Sequence, residues 1–162
     1  MKNDEIELIY IKHSKEGYLY ALALCKDHFI AEELVSDTFY KALLSMDASK
    51  TSVKYWLFHV CKNLFIDMYR KKKKEPIPLV EEIVSVGNRP LDTIIKNEEH
   101  IILYSKILLL QPIDREMLTM FYFLDCDIVK IAAHLGRTTG ATKTGLSRAR
   151  VRLKKLLEEE TR

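Results

Sequence analysis

From Arg137 to Leu157 the chain carries seven basic residues, Arg137, Lys143, Arg148, Arg150, Arg152, Lys154 and Lys155, and no acidic one. Guanidinium and ammonium groups at that density are the footprint of a surface that binds phosphates. A solvated helix balanced by Glu158 to Glu160 is the alternative on charge alone. A second basic run, Arg70 to Lys74, closes a stretch of helical periodicity and leads at once to Pro76 and Pro78. Cations at a helix C-terminus are favourable by ~0.3–1 kcal/mol each. That effect accounts for Lys72 to Lys74 as a tail, and leaves Arg70 and Lys71 open between a solvated helix end and a DNA-reading surface. Bond-making chemistry has no comparable footing. There is no Walker loop, no GxGxxG after a strand and no HExxH. The histidines His13, His28, His59, His100 and His134 are dispersed without metal-ligand spacing. Cys25, Cys61 and Cys126 lie far apart with no CxxC pair, which argues against a disulfide framework or a zinc site. No catalytic residue, metal ligand or cofactor is assigned.

The elements that must present these groups are helical. Apolar residues make up 48% and charged residues 30%, so a folded, soluble chain is expected. Neither glycine nor proline occurs between Gly17 and Pro76, whereas Pro76, Pro78, Gly87 and Pro90 cluster. The cluster marks a linker. The chain divides into residues 1–75, a flexible linker over 76–95, and residues 96–162. About 20 linker residues span at most ~65–70 Å, which lets two modules touch separate places on one long partner. Strand signals are weak, and Val80 to Val86 alone cannot make a sheet. The fold class is all-α, with two small helical domains.

In the first domain three or four helices are expected. Ile6, Ile9, Tyr10 and His13 form a first amphipathic set, and Tyr18 to Cys25 is apolar all round. A helix over about Ile30 to Met46 places Leu34, Val35, Thr38, Phe39, Ala42 and Leu43 on one face and Glu32, Glu33, Asp37 and Lys41 on the other. A third starts near Ser52. Its stripe of Trp56, Leu57, Val60, Cys61, Leu64, Phe65 and Met68 has a period of 3.6. His59, Lys62, Asn63, Ile66 and Arg70 face away. Trp56 belongs to the core stripe, while Tyr55 and Phe58 are open to core packing or base stacking.

The second domain opens with a helix over about Asp92 to Leu110, and Pro112 suits the first position of the next. Asp127 is a candidate N-cap. The helix IVKIAAHL ends at Gly136, a residue suited to a left-handed cap. Thr138 or Thr139 then caps a second helix. Ala132 is small where two helices cross, and Ile131, Leu135 and Leu146 anchor them. This is a helix-turn-helix pattern, whose second helix enters the major groove. Arg137 and Thr142 stand where such motifs place apolar residues, and Gly140 and Gly145 each cost ~1 kcal/mol relative to alanine.

Four stretches together resemble the bacterial sigma factors of the small, two-domain extracytoplasmic-function (ECF) type: AEELVSDTFYKAL, WLFHVCKNLFIDMYRKKKK, LLLQPIDREMLTMFYFLDCDIVKIAAHLG and GATKTGLSRARVRLKKLL. Order and spacing agree over most of the chain. Ser36 replaces a frequent glutamine, and Ala141-Thr142 replaces Thr-Val. The resemblance implies a subunit that binds core RNA polymerase, directs it to promoter DNA and aids promoter opening. Glu32, Glu33, Asp37 and Phe39 would contact the polymerase. Asn63, Asp67 and Arg70, with Lys62 and Lys71, would engage the −10 element, and the loop Asp47 to Ser52 would hold an unstacked base. Thr138, Thr139, Lys143, Thr144, Ser147, Arg148 and Arg150 would meet the −35 element. Members of this family are often held inactive by an anti-sigma protein, frequently membrane-anchored, so such a partner is implied. The competing reading is a stand-alone helix-turn-helix regulator. No apolar run approaches the ~18 residues needed to span a bilayer, and MKNDEIELIY lacks a signal core. A cytoplasmic location without direct membrane insertion is expected.

Overall fold

The computed structural model describes residues 3–47, 52–73 and 88–159. The chain divides into two compact units, residues 1–85 and 86–162. Among the described residues there are eight helices and no strand. Most of the loop between Asp47 and Ser52, Lys74, and the weak strand signal at Val80 to Val86 lie outside the described residues.

The first unit is built on α1 (Asn3–Cys25), α2 (His28–Ser45) and α3 (Val53–Lys73), each packed on the other two. The apolar run in α1 explains the arrangement. Tyr18, Leu19, Tyr20, Ala21, Leu22 and Ala23 are all buried, so this turn and a half must be covered from every side. α2 supplies Leu34, Val35, Phe39 and Ala42, and α3 supplies Leu57, Phe58 and Cys61. The first amphipathic set and the apolar run from Tyr18 to Cys25 form one continuous helix. Gly17 does not break it, because it lies against α2: a Cβ there would sit 3.9 Å from Phe39 and Val35. Packing against α2 offsets the ~1 kcal/mol intrinsic cost of a helical glycine.

Lys26 turns the chain with φ 60°. The Asp27 carboxylate then caps α2, accepting from the N–H groups of Phe29 at 2.9 Å and Ile30 at 3.1 Å. The α3 stripe is rotated from its sequence reading. Phe58 is 2% exposed and stacks on Tyr20 at 4.9 Å between centroids, whereas Trp56 is only half-buried. Phe58 is therefore a core residue and not a stacking platform.

The second unit contains α4 (Asn88–Ile94), α5 (Glu98–Ile107), α6 (Pro112–Tyr122), α7 (Ile128–Leu135) and α8 (Thr139–Glu159). The single helix expected over Asp92 to Leu110 is two. Asn97 adopts an extended conformation, and its side chain accepts from Glu99 N at 2.8 Å and His100 N at 3.3 Å. Glu98 and Glu99 follow in the first turn, where negative charge is favourable. Pro112 opens α6 as its missing N–H predicts. α8 lies against α5, α6 and α7, and its line of Thr142, Leu146, Ala149 and Leu153 is buried. The core beneath includes Tyr104, Ile107, Met117, Leu118, Met120 and Ile131.

Candidate nucleic-acid interface

The helix-turn-helix is closed by local chemistry at both ends of its turn. The Asp127 carboxylate accepts from Lys130 N at 2.8 Å and starts α7. Gly136 has φ 66° and ψ 34°, a left-handed conformation that costs glycine little. Arg137 N then donates to Ala132 O at 2.9 Å and Gly136 N to Ala133 O at 3.3 Å, which satisfies the last carbonyls of α7. Thr138, the first of the two candidates, is the cap of α8: its Oγ1 accepts from Ala141 N at 3.1 Å.

Thr142, which a helix-turn-helix would make apolar, is fully buried. Its Oγ1 donates to Thr138 O at 2.9 Å, so the hydroxyl is satisfied within the helix and the methyl packs as a valine's would. Arg137 needs no apolar partner because it is exposed in the turn. Gly145 has a reason that Gly140 lacks. A Cβ at Gly145 would meet Met117 Cε at 3.1 Å and Sδ at 3.2 Å, so α8 approaches α6 closely there. Nothing lies within 4 Å of a Cβ at Gly140.

Opposite the buried line, Thr138, Thr139, Lys143, Thr144, Ser147 and Arg148 are all exposed. Arg150 is turned onto its own unit. Its guanidinium lies 4.9 Å from the Phe121 ring centroid, and its Nε donates to Tyr122 OH at 3.0 Å. Arg152 likewise reaches Asp114, donating from Nη1 to Oδ2 at 2.8 Å. The basic segment is thus divided between outward cations and cations that fasten the helix.

Sequence reasoning missed what fastens it. Asp114, Arg115 and Glu116 are consecutive, charged and buried. Asp114 accepts from Arg152 and from Gln111 Nε2 at 3.2 Å. Arg115 donates to Leu110 O at 2.8 Å. Glu116 and His134 Nε2 meet at 3.1 Å, with both side chains almost wholly covered. The Glu116–His134 contact ties α6 to α7, and the Asp114–Arg152 contact ties α6 to α8. The available signal was three adjacent charges inside an otherwise apolar helix.

On α3, Asn63, Asp67, Arg70 and Lys71 are exposed, and Lys62 is half-buried. The last turn carries Arg70, Lys71, Lys72 and Lys73, and Lys73 Nζ lies 5.0 Å over the Tyr69 ring. On α2, Glu32, Glu33 and Asp37 are exposed. Phe39 is not: it is 7% exposed and meets the edge of Tyr10 at 5.0 Å. It belongs to the core, because α1 covers that face of α2. The exposed apolar groups of α2 are instead Phe29 (67%), Tyr40 (62%) and Leu44 (66%). With Glu33 and Ser36 they follow the spacing i, i+4, i+7, i+11, i+15, one stripe with an acid near its centre. Among the described residues no helix is long and apolar enough to cross a membrane.

Two helical units, one presenting cations from a helix-turn-helix and the other an acidic helix beside a basic helix end, define a DNA-binding protein that also docks on a protein partner. Residues 9–75 match the family model of Sigma-70 region 2, and residues 100–153 match that of Sigma-70 region 4. The ECF RNA polymerase sigma factor SigM of Bacillus subtilis is 33% identical over 160 residues, spanning 93% of this chain and 94% of that protein. SigW of the same organism is 28% identical over 142 residues, spanning 80% and 76%. The chain belongs to the ECF family of RNA polymerase sigma factors. It directs core RNA polymerase to promoters for transcription initiation, and the stand-alone regulator is not favoured. Two solved structures share the fold. One is the sigma factor RpoE with the anti-sigma factor NepR from Bartonella quintana, with TM-score 0.67 and 24% identity over 96% of this chain and 95% of that one. The other is CnrH with the cytosolic domain of CnrY, with TM-score 0.68 and 19% identity over 98% and 90%.

Proposed function

We propose a division of this promoter-directing role among three helix faces. Residues 1–75 hold core polymerase through Glu32, Glu33 and Asp37 of α2, with Phe29, Tyr40 and Leu44 as apolar anchors beside them. α3 engages the −10 element through Asn63, Asp67, Arg70 and Lys71, with Lys62 at its margin. Residues 86–162, which include α4 with its buried Leu91, read the −35 element through Thr138, Thr139, Lys143, Thr144, Ser147 and Arg148. Arg150 acts within its own domain. The observation that carries this reading is the opposition on α8: one line of the helix is buried against α5 to α7, and the opposite line carries Lys143, Thr144, Ser147 and Arg148 outward. An acidic helix flanked by apolar groups suits a basic, partly apolar helical partner.

The protein has no catalytic activity of its own and works in the cytoplasm, where an anti-sigma protein holds it in reserve. Support for that partner comes from RpoE and CnrH, which were solved with NepR and with the cytosolic domain of CnrY. The test is reconstitution. Core polymerase mixed with the chain should co-elute with it on size exclusion and initiate from a defined promoter set. Absence of co-elution by a folded chain would sink the polymerase reading. Charge-reversal of Glu33 and Asp37 should abolish co-elution and leave the helical content unchanged.

A further inference from the structure

We propose that His28 is a positioning residue for the polymerase contact, holding the Glu32 carboxylate in one orientation on the exposed face of α2. The inference rests on the reading that Glu32 meets core polymerase. His28 is the first residue of α2, placed by the Lys26 turn and the Asp27 cap. Its ring lies between a buried group and an exposed one. On the inner side Tyr18, 6% exposed, brings its hydroxyl to 2.7 Å from His28 Nδ1. On the outer side His28 Nε2 stands 3.4 Å from Glu32 Oε1, whose side chain is 61% exposed. The ring also lies 5.3 Å from the Phe29 ring and 5.7 Å from the Tyr18 ring, centroid to centroid.

The inner contact favours the tautomer that gives the buried Tyr18 hydroxyl an acceptor. Burial pushes the Tyr18 hydroxyl up to about 12, with the Glu32 carboxylate and Cys25 adding to the rise. Tyr18 stays a neutral phenol, and its buried O–H is satisfied at this contact in the tautomer whose Nδ1 accepts. A neutral imidazole with Nδ1 accepting must carry its hydrogen on Nε2. An imidazolium carries one there too. In each form an N–H faces Glu32, and the ring cannot turn away without stranding the Tyr18 hydroxyl. A glutamate on an exposed helix face otherwise samples several rotamers, and ordering it in advance lowers the entropy lost on docking.

The experiment measures affinity for core polymerase with the full chain, for H28Q, H28N, E32A and the double variant H28N/E32A. Glutamine returns an amide N–H near the place of Nε2. Asparagine returns only a carbonyl near Nδ1, leaving Glu32 without its donor. H28N should weaken binding on the order of three- to ten-fold, H28Q should stay close to the parent, and H28N should add nothing in the E32A background. Circular dichroism melts of each variant report folding, and a purely structural role would move H28Q and H28N alike. Equal weakening by H28Q and H28N, or an undiminished H28N effect beside E32A, overturns the proposal. A neutral H28N beside a harmful E32A overturns the positioning role alone. A neutral E32A removes Glu32 from the interface and overturns both.

Discussion

Arg148 and Arg150 stand two residues apart on α8 and do different work. Arg148 is exposed on the face opposite the core, while Arg150 lies on Phe121 and bonds Tyr122. A phosphate contact releases counterions, so Arg148→Ala should weaken promoter binding and reduce the slope of log affinity against log salt by about one unit. Arg150→Ala should leave that slope unchanged and lower the stability of the second unit by about 1 kcal/mol, through the lost stacking and hydrogen bond. Filter binding from low to moderate salt and urea unfolding separate the two, and a matching slope change in both variants would contradict the assignment. Tyr18 makes a prediction at alkaline pH. Its folded value of about 12 lies above the ordinary 10.0, so the native state holds the proton more tightly. That contribution is complete below about pH 10 and is lost as pH rises toward 12. Relative to Tyr18→Phe, the parent's urea midpoint should therefore fall more steeply between about pH 10 and 12. Trp56, the single tryptophan, reports the first unit by fluorescence. Parallel curves for the two proteins would refute the shift.

At the scale of elements, α8 carries two glycines with opposite settings. Gly140→Ala adds a Cβ in open space and should stabilise the second unit by up to about 1 kcal/mol. Gly145→Ala gains the same propensity but must displace Met117, which is 1% exposed, so it should stabilise less or destabilise. Thermal melts of the two variants decide it, and equal gains would show that Met117 yields freely. The contrast explains which features were legible in the chain. The bounds of α7 follow from Asp127 and Gly136, whose capping bonds are made within a few residues. The break at Asn97 was legible in the same way, as an N-cap followed by two acids, but the apolar run on either side outweighed it. Phe58 was not legible by periodicity alone, whereas periodicity set Phe39 on the buried face of α2 and only the family resemblance turned it toward the polymerase. Phe58 is drawn inward by Tyr20, and Phe39 is covered by Tyr10, contacts made by a helix tens of residues away in sequence. The buried charges Asp114, Arg115 and Glu116 escaped for the same reason, since Arg152 and His134 come from other helices.

At the scale of the molecule, the proposed separation of DNA contacts between the two units is itself testable. Joining the two units in one chain makes the second contact an intramolecular event, so two modest affinities combine into a stronger one. Separated fragments, residues 1–85 and 86–162, should each retain helical content, and the second should bind −35 duplex DNA more weakly than the intact chain with core polymerase binds the promoter. Point variants refine this. Asn63→Ala removes a polar group from α3, on the face assigned to the −10 element, where strand opening begins. It should slow the formation of the open complex, read by permanganate reactivity of unpaired thymines, with little change in duplex binding. Arg148→Ala should reverse that order, weakening duplex recruitment while the opening of already recruited complexes proceeds at the parent rate. The double variant should show the sum of the two losses, because the groups sit on different units and share no partner. Equal loss by both variants on both measurements would mean that the two helices read a single continuous element.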